Sequence, residues 1–309
     1  MRTRLSLSVL ALILLATGCT IEGGRPPVAP PAGGADVNED DIVIASFDFD
    51  ESELLAELYA SMLEENGYPV ARYMDLGARE IVQPAIQQGQ VELVPEYAGS
   101  AFEFLTFNGE GGAIGSDLHT RLSALLVARG VEVLSFAPAQ DKNAVVVTAP
   151  AAVEHRLKTI SDLSDLAPEL TLGGPPECPE RPLCLLGLEN TYGLQFGSFL
   201  PLEPGAATVA ALTGDEIDAG VMFSTDPQIL TYNLTVLQDD RGLQPQENVV
   251  PILRKEVVEQ HGEEVVDLID SVSERLTTVV LRSLNRQMAS GLTAHDVALG
   301  WLRTEGLVQ

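Results

Sequence analysis

The stretch VELVPEYAGSAF, residues 91–102, holds the side chains best placed for chemistry. An apolar run from Val91 to Val94 meets Pro95, presents Glu96 and Tyr97, and turns through Gly99 and Ser100 into a helical pattern. Strand, polar aromatic tip, Gly-Ser, helix: an α/β protein offers side chains and backbone N–H groups to a ligand in this way, at the carboxyl end of a strand. That is binding chemistry. Signatures of reaction chemistry do not accompany it, for the chain has no G-x-S-x-G elbow, H-E-x-x-H pair, Walker A loop or G-x-G-x-x-G fingerprint. His119, His155, His261 and His295 lie far apart in polar, helix-like segments and read as surface residues. Asp48, Asp50 and Glu51 in FDFDESE lack the glycine that turns a calcium loop, and read instead as a helix N-terminus, where carboxylates offset the macrodipole. No enzyme activity, cofactor or metal is expected.

The cysteines say where the chain works. Arg2 and Arg4 precede the apolar LSLSVLALILLA, which has the length of a signal-peptide core and is too short to span a bilayer. The segment ends in ATGC and resembles a bacterial lipobox, so residues 1–18 are expected to be removed and Cys19 to carry the lipid. The Pro-, Gly- and Ala-rich residues 19–40 read as a disordered tether. The expected location is the outer face of the cell membrane or a periplasm, with membrane contact through the lipid alone. In such a compartment the remaining even pair, Cys178 and Cys184 in ECPERPLC, reads as a disulfide. A net charge of −27 argues against nucleic acid and anionic headgroups as partners, and favours cationic or neutral ones.

The elements that must position Tyr97 alternate. DIVIASF, YPVARYM, VELVPEY, VEVLSF, KNAVVVTAP and ELTLGG read as strands between helical patterns such as ESELLAELYASMLEENG and SDLHTRLSALLVARG. Alternation of this kind predicts an α/β fold with a largely parallel sheet. The end differs: residues 265–306 have helical period nearly throughout. The pattern predicts two α/β lobes with a helical tail, the chain crossing between them near residues 142–148 and again near 246–252.

Five segments in order resemble the substrate-binding proteins of osmoprotectant ABC transporters, the glycine betaine/choline/carnitine-binding type. They are VELVPEYAGSAF, PECPERPLCLLGLENTYG, ALTGDEIDAGVMFSTDPQI, LQDDRGLQPQENVVPILR and TTVVLRSLNRQMASGLTAHDVALGWLRTEGL. The resemblance implies a two-lobed, type II periplasmic-binding-protein-like clamp with two hinge crossovers and a C-terminal helical segment. Residues 41–144 and 249–309 would form the first lobe and 145–248 the second. A small solute would sit in the cleft, and the closed clamp would dock on permease and ATPase subunits of an importer.

Family members hold a quaternary ammonium group among aromatic rings, because such a cation has no N–H to donate and ring faces attract it. By the resemblance, Tyr97 is one wall and Phe223 another, the latter replacing a tyrosine. Asn143, after Asp141 and Lys142, and Glu247 stand where two further rings align, and Asp141 is counted with the site. Either Glu247 and Asn143 add charge and polarity to the box, or Glu247 faces solvent and Tyr192 or Phe47 completes it. For the acid end of a betaine the chain offers Arg181, Ser100 and the N–H groups after Gly99, and Ser52 aligns with a contact in the first loop. The alternatives are the same clamp holding a polar amine or a neutral polyol, or a stand-alone extracellular sensor.

Overall fold

The structure is a computed structural model and describes residues 37–38, 40–106, 117–176, 178–202 and 204–309. The signal segment, Cys19 and most of the expected tether lie outside the described residues. Val37 already packs on the apolar core, and the Asn38 backbone N–H donates to Asp41 Oδ2 at 2.8 Å.

Among these residues, ten strands form two sheets of five. The first contains β1 (Ile42–Ala45), β2 (Val70–Tyr73), β3 (Leu93–Tyr97), β4 (Val131–Val133) and β10 (Val249–Arg254), in the order β2-β1-β3-β10-β4. The second contains β5 (Asn143–Thr148), β6 (Thr171–Gly174), β7 (Ser198–Pro201), β8 (Ala219–Phe223) and β9 (Leu234–Val236), in the order β7-β6-β8-β5-β9. One strand in each sheet runs against its neighbours: β10 between β3 and β4, and β5 between β8 and β9. These are the first strands the chain makes after each crossing. The molecule is therefore a two-lobed periplasmic-binding-protein clamp with two mixed sheets.

Period-two alternation separates the core into layers. Ile42 and Ile44 face one side of the first sheet with Leu93 and Leu253, while Val43 and Ala45 face the other with Val94 and Ile252. Helices cover both sides, so the strands read as continuous apolar runs. On the first side lie Asp50–Glu65 and the C-terminal helices Glu264–Arg275, Thr278–Ala289 and Ala294–Thr304. Tyr59 of the long helix is fully buried there and shares a 3.0 Å hydrogen bond with Ser273 Oγ. The other side carries Arg79–Gln87, Ala98–Thr106 and Leu118–Val127. No helix among the described residues is long and apolar enough to cross a membrane.

The crossings fall earlier than the sequence pattern predicts. Residues 143–148 and 249–254 are already paired strands, so residues 134–142 and 237–248 make the passage, and the boundary expected at 144–145 falls inside β5. Extended apolar residues read alike whether they link lobes or enter a sheet, and this accounts for the shift. The two passages meet side by side: Gln140 and Asn248 form an antiparallel bridge, and Asp141 N–H donates to the Glu247 carbonyl at 3.1 Å.

Candidate ligand-binding site

The two sheets present their inner ends in matching fashion. Tyr97 is the last residue of β3 and lies opposite Val249, the first of β10. Phe223 is the last residue of β8 and lies opposite Asn143, the first of β5. Each lobe thus sends one ring from the carboxyl end of a parallel strand, beside the strand that has just crossed. Between them is a cavity of about 650 Å³.

A third ring comes from the loop after β1. Phe49 is extended, with φ −150° and ψ 149°, and ends where the helix Asp50–Glu65 begins. Its ring stacks on Tyr97 at a centroid distance of 6.1 Å and on Phe47 at 5.9 Å. Phe47 itself is buried under the Arg79 guanidinium and does not line the cavity. Phe49 and Phe223 expose 42% and 49% of their surfaces, unusual for large apolar rings and expected of walls awaiting a ligand. Leu183, Pro245 and Met288 add apolar surface.

Among the described residues, five carboxylates line the cavity: Asp50, Glu51, Asp141, Asp226 and Glu247. Glu51 sits in the first turn of its helix, where the macrodipole favours an acid. Tyr97 Oη donates to its Oε1 at 2.7 Å and Asn285 Nδ2 donates to its Oε2. Glu247, on the second crossing, accepts from Ser100 N at 3.1 Å and from Ser100 Oγ at 3.0 Å. Asp141, on the first crossing, accepts from Thr225 Oγ1 at 2.8 Å. Burial pushes the Glu51 and Glu247 carboxyls up, with the hydrogen bonds to each working in the opposite sense. Asp141 is pushed up to about 7 by burial first and then by the charge of Glu51, with Glu247 adding a smaller push. Burial and the Glu51 charge also push the Tyr97 phenol well above its ordinary range, so Tyr97 is a donor at any working pH.

Behind this wall Glu96 is fully buried but neutralised, with Arg79 bonding both its oxygens and Gln83 donating at 2.8 Å. Of the described residues lining the cavity, Lys142 is the one Lys or Arg. No group of three His, Cys, Asp or Glu among the described residues is placed to hold a metal ion. The arrangement therefore suits an organic cation: ring faces supply cation–π attraction and the carboxylates supply field.

A sequence model of the substrate binding domain of ABC-type glycine betaine transport systems matches residues 40–304. The chain belongs to this family. It is 27% identical over 268 residues to the glycine betaine-binding protein YehZ of Escherichia coli, spanning 83% of this chain and 88% of that one. It is 28% identical to a glycine-betaine-binding protein of Pseudomonas aeruginosa, over 84% of this chain and 86% of that one. The solved structure of apo YehZ superposes with a TM-score of 0.78 at 25% identity, covering 87% of this chain and 99% of the other. Members of the family are extracytoplasmic proteins that hand small solutes to a permease.

For this substrate-binding domain, six of the residues expected from sequence meet in one cavity: Tyr97, Ser100, Asp141, Asn143, Phe223 and Glu247. Glu247 faces the cavity and is mostly buried, not turned to solvent. Two expected contacts lie elsewhere. Ser52 is fully buried and its Oγ accepts from the Phe47 N–H at 2.9 Å, which fixes the loop behind Phe49. Arg181 is exposed and does not line the cavity. Tyr192, the other candidate ring, is buried in the second lobe and donates to Asp239. The sequence pattern did not point to Phe49, Glu51, Thr225 or Asn285 as cavity residues. FDFDESE carried a signal for the first two, since it follows the carboxyl end of β1, the strand beside β3 whose carboxyl end is Tyr97. Asn285 carried none, being a polar residue on a helix and 234 positions from its partner Glu51.

The lip of the cavity in the second lobe is the Cys178–Cys184 disulfide loop. Its Leu183 carbonyl accepts from Asn143 Nδ2 at 3.2 Å and from Gln244 Nε2 at 2.8 Å.

Proposed function

We propose that this chain is the solute receptor of an ABC importer and captures a quaternary-ammonium osmoprotectant of the glycine betaine/choline type in the interlobe cavity. The observation that carries this reading is the trio of ring faces, Phe49, Tyr97 and Phe223, in a cavity that also holds Glu51, Asp141 and Glu247. The oxygens of Glu51 and Glu247 are already occupied by donors from Tyr97, Asn285 and Ser100. They attract a cation by charge and need no N–H from it, which suits a quaternary group better than a primary amine. The relatives named for glycine betaine support the same class. The chain catalyses no reaction, works outside the cytoplasmic membrane held by a lipid on Cys19, and delivers its solute to permease and ATPase subunits.

Calorimetric titration of residues 37–309 with choline, glycine betaine, carnitine, a primary polyamine and a neutral polyol tests the ligand. Micromolar or tighter binding of a quaternary compound is expected. Heat from the polyamine or polyol alone would reassign the solute. Cys19→Ser should release the full-length protein from the membrane fraction, and retention would refute the anchor.

A further inference from the structure

Two of the cavity carboxylates form a connected pair without a counter-ion. Asn285 Nδ2 donates to Glu51 and also to the Thr225 carbonyl at 3.2 Å, and Thr225 Oγ1 donates in turn to Asp141. Among the described residues, neither acid is hydrogen-bonded or ion-paired to a Lys or Arg. The charged groups that face them are, apart from Lys142, of the wrong sign or otherwise engaged. Glu247 on the second crossing adds negative charge, and Tyr97 of β3 presents only a neutral hydroxyl. Arg79 is paired with Glu96. Arg282, on the helix that carries Asn285, donates to the Ser224 carbonyl at 2.9 Å. Lys142 lines the same cavity, but its charge is felt at Asp239. Asp50 and Asp226 also line the cavity and are further acids.

Two like charges held together in a poorly solvated wall do not both ionise; one keeps its proton until a cation arrives. Glu51 has both oxygens filled by donors and is the natural holder of the negative charge. Asp141, whose donors both come from the one residue Thr225 and which is pushed up to about 7, is the natural holder of the proton.

We propose that solute capture is a proton exchange: the empty cavity holds one proton on the Glu51–Asp141 pair, and an entering organic cation sends it from Asp141 to solvent. One positive charge enters the cavity and one leaves, so wall and solute together keep the net charge of the empty cavity. The proposal rests on the quaternary-ammonium reading above and adds a consequence to it. Affinity is set by pH, and a net cation gains more from the exchange than a zwitterion that carries its own carboxylate into an acidic cavity.

The test uses choline chloride and glycine betaine as probes. Titration at about pH 7 in buffers of low and high ionisation enthalpy counts protons, and roughly half a proton should leave per choline bound if Asp141 titrates near 7. Choline affinity should be about thirtyfold weaker at about pH 5.5 than at about pH 8.5, and this dependence should vanish in Asp141→Asn. Choline binding with no proton release and the same affinity at both pH values would overturn the exchange while leaving the ligand class intact. Absence of binding by either probe at either pH would overturn the ligand class and the exchange with it. A carboxyl-carbon NMR titration of the empty protein tests the stored proton without ligand, since an Asp141 that ionises in the ordinary aspartate range would remove it.

Discussion

Tyr97 Oη donates a 2.7 Å hydrogen bond to Glu51 Oε1, joining the carboxyl end of β3 to the first turn of the helix that follows β1. This bond fixes the tilt of the Tyr97 ring and leaves its face to Phe49 on one side. It also holds a carboxylate next to the aromatic wall without letting the acid project across the cavity. A ring and an anion that would otherwise compete for the same cation are thereby set side by side.

Tyr97→Phe keeps the ring and removes the donor, whereas Tyr97→Ala removes both. Choline affinity should fall by about 1–3 kcal/mol in Tyr97→Ala, the worth of one desolvated ring contact and its burial. In Tyr97→Phe the loss should be smaller, about 0.5–1.5 kcal/mol, because Glu51 keeps Asn285 as a donor. Calorimetry on both variants separates the two roles. Equal losses would assign the whole effect to the hydroxyl.

The acids that attract a ligand destabilise the empty clamp. Asp141 holds its proton up to about pH 7 when folded, against an ordinary value of 3.8. Between those values the native state binds a proton that the unfolded chain has released, so stability falls as pH rises through this window. Asp141→Asn removes the penalty. Ligand-free Asp141→Asn should therefore unfold at a higher temperature than the parent at about pH 8, by the equivalent of roughly 2–4 kcal/mol, and the gap should close toward pH 4. Thermal melts at both pH values check this. A gap that does not change with pH would place the effect in packing.

Gly99 marks how closely the first lobe approaches the second crossing. A Cβ there would stand 2.7 Å from the Gln246 carbonyl oxygen and 2.9 Å from Glu247 Oε1. Neither backbone nor the doubly bonded carboxylate yields easily, so Gly99→Ala should shift Glu247 off Ser100, lower stability by about 1–3 kcal/mol and weaken choline binding about tenfold. Denaturant melts and calorimetry report the two effects. Parent-like affinity would show that the crossing moves freely under the ligand.

The strand pattern alone reaches Tyr97, because strand ends in an alternating α/β fold are where ligands meet the sheet, whereas Phe223 comes from the family resemblance, although it too closes a strand. The same logic applied to Phe49 failed for a local reason: the acids that follow it announce a helix so strongly that FDFDESE reads as a cap and nothing more. Ser52 lies in the first turn of the helix that follows, and its hydroxyl is occupied by the Phe47 N–H. Asn285 and Thr225 were out of reach, since their roles exist only where the C-terminal helix grips the second lobe across 60 residues of sequence. Fold class follows from periodicity; a site assembled from three elements distant in sequence does not.

The disulfide loop supplies the last prediction. Six positions separate Cys178 from Cys184, and closing so short a loop contributes roughly 2 kcal/mol by its effect on the unfolded chain. Its effect on the site runs through the Leu183 carbonyl, which gathers Asn143 at the start of β5 and Gln244 from the second crossing. With the bridge removed by Cys178→Ser and Cys184→Ser together, Leu183 is free to leave the lip, and both amides lose their acceptor. Choline affinity should fall about three- to tenfold beyond what the loss of stability explains, which titration at a temperature well below the melt of the variant detects. An unchanged affinity in a less stable protein would make the bridge a staple of the second lobe and nothing to the ligand.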